Sequence, residues 1–196
     1  MLILLAMIEE KIDIERDGLM KVLGHRYDDS DNPKLLKLFN SWIDYQNAGK
    51  FFHQRTNIPE GLTESVVAKD LPNVYRKIKV TKGLKGKSKF DCYKTDTKQF
   101  IEVKGCSIPN DLTSWSPKPF FDFFCFVDFS TLDGKYKIFQ ININSEELKN
   151  EKVSASETFQ DQIDKKRRPR FSVYEKFINK SYRCTGEPIL EGDLKK

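Results

Sequence analysis

The stretch FFDFFCFVDF, residues 120–129, constrains the fold of this chain more than any other. Successive side chains of a β-strand point to opposite faces, and here both faces would be apolar. A strand of that kind belongs in the middle of a sheet covered on both sides. The covering layers are also legible. Asn32 and Pro33 form a helix start, a capping residue followed by proline in the first turn. Behind them Leu35, Leu36, Leu38, Phe39, Trp42 and Ile43 recur at helical spacing, which predicts an amphipathic helix to about Gln46. A second helix is expected from near Pro59 to just before Pro72. It sets Glu60 and Glu64 four residues apart, on one face.

Residues 73–89 then read as a short basic strand and the loop TKGLKGKSK. FDCY, the polar turn KTDTK and QFIEVKGCS follow as a hairpin, and YKIFQI, after the turn DGK, is a further strand. A last helix is expected around residues 156–165. The predicted fold class is therefore α/β, a mixed β-sheet core flanked by helices. With no repeat and no low-complexity linker, residues 1–196 are expected to form one domain, with a helical N-terminal part over 1–50, a core over 51–150 and a basic C-terminal part over 151–196.

The opening MLILLAMI is eight residues long and is followed by Glu9 and Glu10, too short a run to cross a bilayer. It lacks the basic flank and cleavage site of a secretory signal, so a buried strand or helix start and a cytoplasmic location are expected, with Met7 or Met20 as alternative starts. The four cysteines are scattered without a CxxC pair, and only His25 and His53 could join them. Reduced core thiols are expected rather than a zinc site.

The net charge of +5 hides a strong segregation. Residues 76–89 carry a local +7 and residues 164–183 a local +6, which leaves about −8 on the rest of the chain. Two such stretches suit a polyanionic partner, the alternative being two solvated charged faces.

Within QFIEVKGCS, Ile101 and Val103 point to one face while Glu102 and Lys104 share the other. Burying either charge alone is costly, so the two form a structural ion pair or part of a site. Asp91 lies on the preceding hairpin arm and can approach Glu102 at the hairpin's open end. Asp91, Glu102 and a backbone carbonyl, that of Val103, are hard oxygen ligands of the kind Mg²⁺ prefers. Lys104 could orient or deprotonate a nucleophile, the latter where its pKa is lowered, and a dication could neutralise charge developing on a phosphate. The spacing alone is common, since Glu9 with Lys11, Asp96 with Lys98 and Asp133 with Lys135 repeat it in polar surroundings.

The arrangement resembles the PD-(D/E)xK nuclease superfamily, with Asp91, Glu102 and Lys104 in its signature positions and Glu64 matching the glutamate many members carry on an upstream helix. Phe90 stands where the motif has proline. Beyond about residue 50 the strings RTNIPEGLTES, FDCY, IEVKGCSIPNDLTSWSPK, FVDF, FQDQ and RRPRFS resemble a small family of homodimeric type II restriction endonucleases that read a short interrupted GC-rich palindrome such as GCNGC. The resemblance implies Mg²⁺-dependent cleavage of double-stranded DNA leaving 5′-phosphates, and a companion DNA methyltransferase in the host. It makes residues 51–150 the catalytic core and 151–196 a DNA-contacting part. Lys82, Lys85, Lys87 and Lys89 would hold phosphates. Arg167, Arg168 and Arg170 would read guanines or touch phosphates. Ser114, Trp115 and Lys118 would reach the DNA, although Trp115 equally suits a packed interface. The alternatives are a structure-specific repair or recombination nuclease of the same superfamily and a non-catalytic DNA-binding protein.

Overall fold

The structure is a computed structural model that describes residues 9–16, 18–54, 56–82, 89–117, 120–179 and 183–196. It opens on an antiparallel hairpin, β1 (Glu9–Glu15) and β2 (Leu19–His25). Two helices follow, α1 (Asn32–Phe51) and α2 (Glu60–Asp70), then β3 (Val74–Lys82), β4 (Cys92–Lys94), β5 (Gln99–Cys106) and the short β6 (Leu112–Ser114). The chain continues through β7 (Phe123–Asp128), β8 (Lys135–Ile141), α3 (Ser145–Lys149), α4 (Phe159–Asp164), β9 (Arg170–Ser172), one π-helical turn (Tyr174–Ile178) and β10 (Leu190–Asp193).

Eight strands form one sheet in the order β1-β2-β3-β4-β5-β7-β8-β10, and β6 pairs with β9 in a separate two-stranded sheet. Every pairing in the large sheet is antiparallel except β5 with β7. A parallel pair needs a crossover. Here the crossover carries β6, and so throws a small arm over one face of the sheet.

The apolar strand sits where its composition demands. All six residues of β7 are buried between β5 and β8. One face, with Cys125 and Val127, packs on α1 and α2 through Leu35, Phe39, Leu62 and Val66. The other, with Phe124 and Phe126, packs on Trp115, Phe171 and Phe177. The mixed α/β class is thus observed. The four cysteines are free and buried, as expected.

Three boundaries differ from expectation. Residues 9–25, inside the stretch read as helical, are a β-hairpin: Ile12 and Ile14, Met20 and Val22 alternate with polar residues, a period of two rather than 3.6. Helix α1 runs on to Phe51, and Asn32 is its first helical residue rather than its cap. The polar end supplies an edge strand, β10, paired with β8. MLILLAMI, Lys85, Lys87 and Lys118 lie outside the described residues. Among the described residues no helix is long and apolar enough to cross a membrane.

Candidate active site

The turn after β4 holds a hairpin register in which Cys92 faces Ile101. Asp91 stands just outside that register, its backbone still bonded to Ile101, and its charge is close enough to Glu102 to act on it. Two backbone bonds fix Asp91: its N–H donates to Ile101 O at 2.9 Å and its carbonyl accepts from Lys77 N at 2.9 Å. Its carboxylate accepts from Val103 N at 2.8 Å. A strand residue directs its N–H and C=O to the same neighbour. The Val103 carbonyl therefore faces the same edge as the Asp91 carboxylate, where β4 has ended.

Glu102 and Lys104 lie together on one face of β5, with Lys104 Nζ 2.6 Å from Glu102 Oε1, and Glu102 is only 5% exposed. Burial raises the Glu102 pKa from 4.5 to about 7, with the negative charge of Asp91 adding to it and Lys104 opposing. The Asp91 pKa is raised as well, chiefly by burial, against the pull of Lys104 and Lys77. Lys104 departs from expectation. Burial alone would lower its pKa, but Glu102 and Asp91 outweigh it and the net shift is upward, so the group is held as an ammonium.

Both carboxyls remain above their ordinary values despite two ammonium neighbours. The cluster is short of positive charge. Two carboxylates and a main-chain carbonyl on one open edge are hard oxygen donors that leave room for waters, a set that fits Mg²⁺. Among the described residues no group of three or more His, Cys, Asp or Glu is placed to hold a metal ion, here or elsewhere, so this cluster offers two carboxylates and main-chain oxygen alone.

Glu64 is close enough for Asp91 to raise its pKa, after burial as the larger cause. Its carboxylate, however, accepts from Arg76 Nε at 2.7 Å, and Arg76 also donates to the Tyr27 hydroxyl at 3.2 Å. Glu60, one turn earlier, instead lines a cleft of about 450 Å³ beside Lys104. The cleft runs along the uncovered edge of β5, between α2 on one side and β6 and β9 on the other, and its wall includes Asp111, Ser114, Arg168 and Arg170. Gly105 makes this closeness possible, since a Cβ there would lie 2.5 Å from Thr63 Cγ2.

The cleft wall thus gathers Lys104, Ser114, Arg168 and Arg170, while Glu102 lies buried behind it in its ion pair with Lys104 and Asp91 is tied to Val103 of the wall. Lys82 and Lys89 are exposed and lie outside the cleft wall, and Arg167 is ion-paired with Glu157. Trp115 corrects an expectation: it is 0% exposed and packs in the second core cluster, stacked on Phe171, so its ring offers no surface to DNA. Apolar neighbours on β7 and β9 claim it. Sequence reading missed Glu60 as the acid open to the cleft, although its spacing from Glu64 was the available signal. It also missed Asp111, whose place depends on the crossover.

Carboxylates and an ammonium on a strand edge beside an arginine-walled cleft, on an eight-stranded α/β sheet, define a site suited to phosphodiester hydrolysis. The family model described as Bsp6I restriction endonuclease matches residues 27–180. The chain belongs to that family and is a site-specific deoxyribonuclease. A relative, the type II restriction enzyme Bsp6I of Bacillus sp. (strain RFL6), is 29% identical over 178 residues, which cover 90% of this chain and 92% of the relative. No solved structure matches.

Proposed function

We propose that the chain is a Mg²⁺-dependent type II restriction endonuclease of PD-(D/E)xK type, which cuts both strands of DNA at a GC-rich interrupted palindrome and leaves 5′-phosphates. The observation that carries the reading is the Asp91 carboxylate held at 2.8 Å by Val103 N, next to Glu102 with Lys104 Nζ 2.6 Å from its carboxylate.

Asp91 and Glu102, with the Val103 carbonyl, would hold the metal, which when bound would supply positive charge beside the phosphate. The Lys104 ammonium, steadied by Glu102, donates to the attacking water and keeps its lone pair aimed at phosphorus. Attack forms a P–O bond and breaks the P–O3′ bond, the attacking water releasing one proton to solvent and the leaving O3′ taking one from solvent, which gives a 5′-phosphate and a 3′-hydroxyl. Glu64 secures Arg76, and through it the β3 edge beside Asp91.

Arg168 and Arg170 line the cleft and are placed to read base edges, where a guanidinium can bond both acceptors of a guanine. Lys82 and Lys89, with Lys85 and Lys87 of the same basic segment, meet phosphates. Each chain has one cluster of this kind among its described residues, so cutting two strands calls for two chains. A two-fold homodimer matches a palindrome half-site by half-site. Such an enzyme works in the cytoplasm beside a methyltransferase that protects the host's own sites.

The test is digestion of a sequenced, unmethylated plasmid with Mg²⁺, beside EDTA, followed by end-sequencing of the fragments. Discrete fragments that share one interrupted palindrome at their ends support the reading. Random nicking, cutting only at branched structures, or binding without cutting would each overturn it.

A further inference from the structure

Trp115 touches both halves of the site. Its indole faces Lys104, whose Nζ lies 5.4 Å from the ring centroid. Its backbone belongs to the cleft wall: Trp115 N donates to Pro169 O at 3.0 Å, and its carbonyl accepts from Arg168 Nε at 3.1 Å. The residue before it, Ser114, pairs with Arg170 across β6 and β9. The ring stacks on Phe171 of β9 at 5.3 Å and meets Phe124 of β7 edge-on at 4.9 Å. One residue therefore joins the arm that carries the cleft arginines to the face of β5 that carries the lysine.

The choice of indole is informative. Trp115 Nε1 is buried with no hydrogen-bond partner among the described residues. A phenylalanine would fill most of the same space without burying an unpaired donor. What tryptophan adds is the stronger π-face for a cation. Lys104 is the cation against it, and its side chain is 17% exposed, so it is held from one side by Glu102 and from the other by the indole.

We propose that Trp115 is a positioning residue that couples DNA contact at Arg168 and Arg170 to the placement of the Lys104 ammonium. Engagement of the arginines pulls on the Trp115 carbonyl and on β9, the ring shifts with its backbone, and Lys104 is brought into its working position. Cleavage then depends on correct seating of the arm. The inference rests on the reading of Lys104 as catalytic.

The experiment compares wild type, Trp115→Phe, Trp115→Leu and Lys104→Ala on the plasmid whose cut sites have been mapped, at equal folded content. Single-turnover cleavage rate and DNA affinity without divalent metal are both measured. Trp115→Leu is expected to lower the rate by about tenfold or more while the Kd stays within about threefold, and Trp115→Phe is expected to recover much of the loss. Tryptophan emission of the metal-free wild type should also change on addition of DNA, and the change should disappear in Trp115→Phe.

A Trp115→Leu rate equal to wild type, or a Kd that worsens in step with the rate, would overturn the coupling and leave Trp115 as packing. If the leucine variant does not fold, the emission measurement decides, because no DNA-dependent change in the wild type also overturns it. Lys104→Ala separates the two levels: retained cutting sinks the catalytic reading itself, whereas loss of cutting there with fully active Trp115 variants sinks only the coupling.

Discussion

The backbone N–H of Val103 donates a 2.8 Å hydrogen bond to Asp91 Oδ2, so a main-chain group of β5 aims the carboxylate that ends the neighbouring strand. The bond ties the position of Asp91 to the same two residues that supply Glu102 and the Val103 carbonyl. It also explains how an acid can be held at a strand edge while burial raises its pKa.

Asp91→Asn keeps an oxygen for Val103 N and removes the charge. Because the Asp91 pKa is raised in the folded chain, ionising the carboxyl costs folding stability at pH 8, and asparagine mimics the protonated form. The melting temperature in EDTA is expected to rise, while cleavage falls by about a hundredfold or more. Calorimetry beside a plasmid assay checks both, and a fall in melting temperature would contradict the burial argument.

Glu102 gives a pH signature. Its folded pKa of about 7 lies above the ordinary 4.5, so the folded state holds a proton that the unfolded chain releases. Without metal, stability is therefore expected to decline as pH rises from 4.5 towards 7 and then to level off. Metal binding must displace that proton, so its affinity runs the other way: about tenfold weaker at pH 6 than at pH 8. The Mg²⁺-induced shift in melting temperature at the two pH values measures it, and equal shifts would contradict the assignment.

Gly105 sets the approach of α2 to β5. A methyl group there would meet Thr63 Cγ2 at 2.5 Å and Ile58 Cγ2 at 3.1 Å, pushing away the turn that carries Glu60. Gly105→Ala is expected to cost about 1–3 kcal/mol and to slow cleavage. Thr63→Ser removes the opposing methyl and keeps the hydroxyl that donates to Glu60 O at 3.0 Å, so the double variant should regain part of both. Denaturant melts of the three variants provide the comparison.

Lys82 and Arg170 should differ in kind. Lys82→Ala is expected to weaken binding equally on all sequences and to lower the salt slope by about one phosphate's worth. Arg170→Ala should cost about 1–3 kcal/mol on the target and relax the choice of base at one position. Binding titrations at several salt concentrations, on target and scrambled duplexes, distinguish them. Identical behaviour would remove Arg170 from the base-reading role.

The sheet and its two flanking helices were legible because β7 is apolar on both faces, α1 carries an apolar helical period and α2 is bounded by Pro59 and Pro72, and the Asp91–Glu102 hairpin was legible because KTDTK fixes its turn. The β1–β2 hairpin was hidden by its charged outer face, where Glu9, Lys11, Asp13 and Glu15 dominate the composition. The β6–β9 arm was hidden for another reason. LTS and RFS are three residues each and nearly sixty residues apart, so their pairing is set by packing of Trp115 on Phe171 rather than by any local period. The site residues on β5 followed from alternation, whereas the burial of Trp115 and the opening of the cleft onto Glu60 depend on that long-range arm.

The most direct test of the catalytic cluster is single-turnover cleavage of a duplex bearing the mapped target by wild type and Lys104→Ala at equal folded content, with DNA affinity measured in parallel without divalent metal. If Lys104 orients the attacking water, the rate falls by about 10²- to 10⁴-fold while the Kd stays within about threefold. A Lys104→Ala enzyme that cuts at the wild-type rate would contradict the assignment and return Glu102 and Lys104 to the role of a buried structural pair.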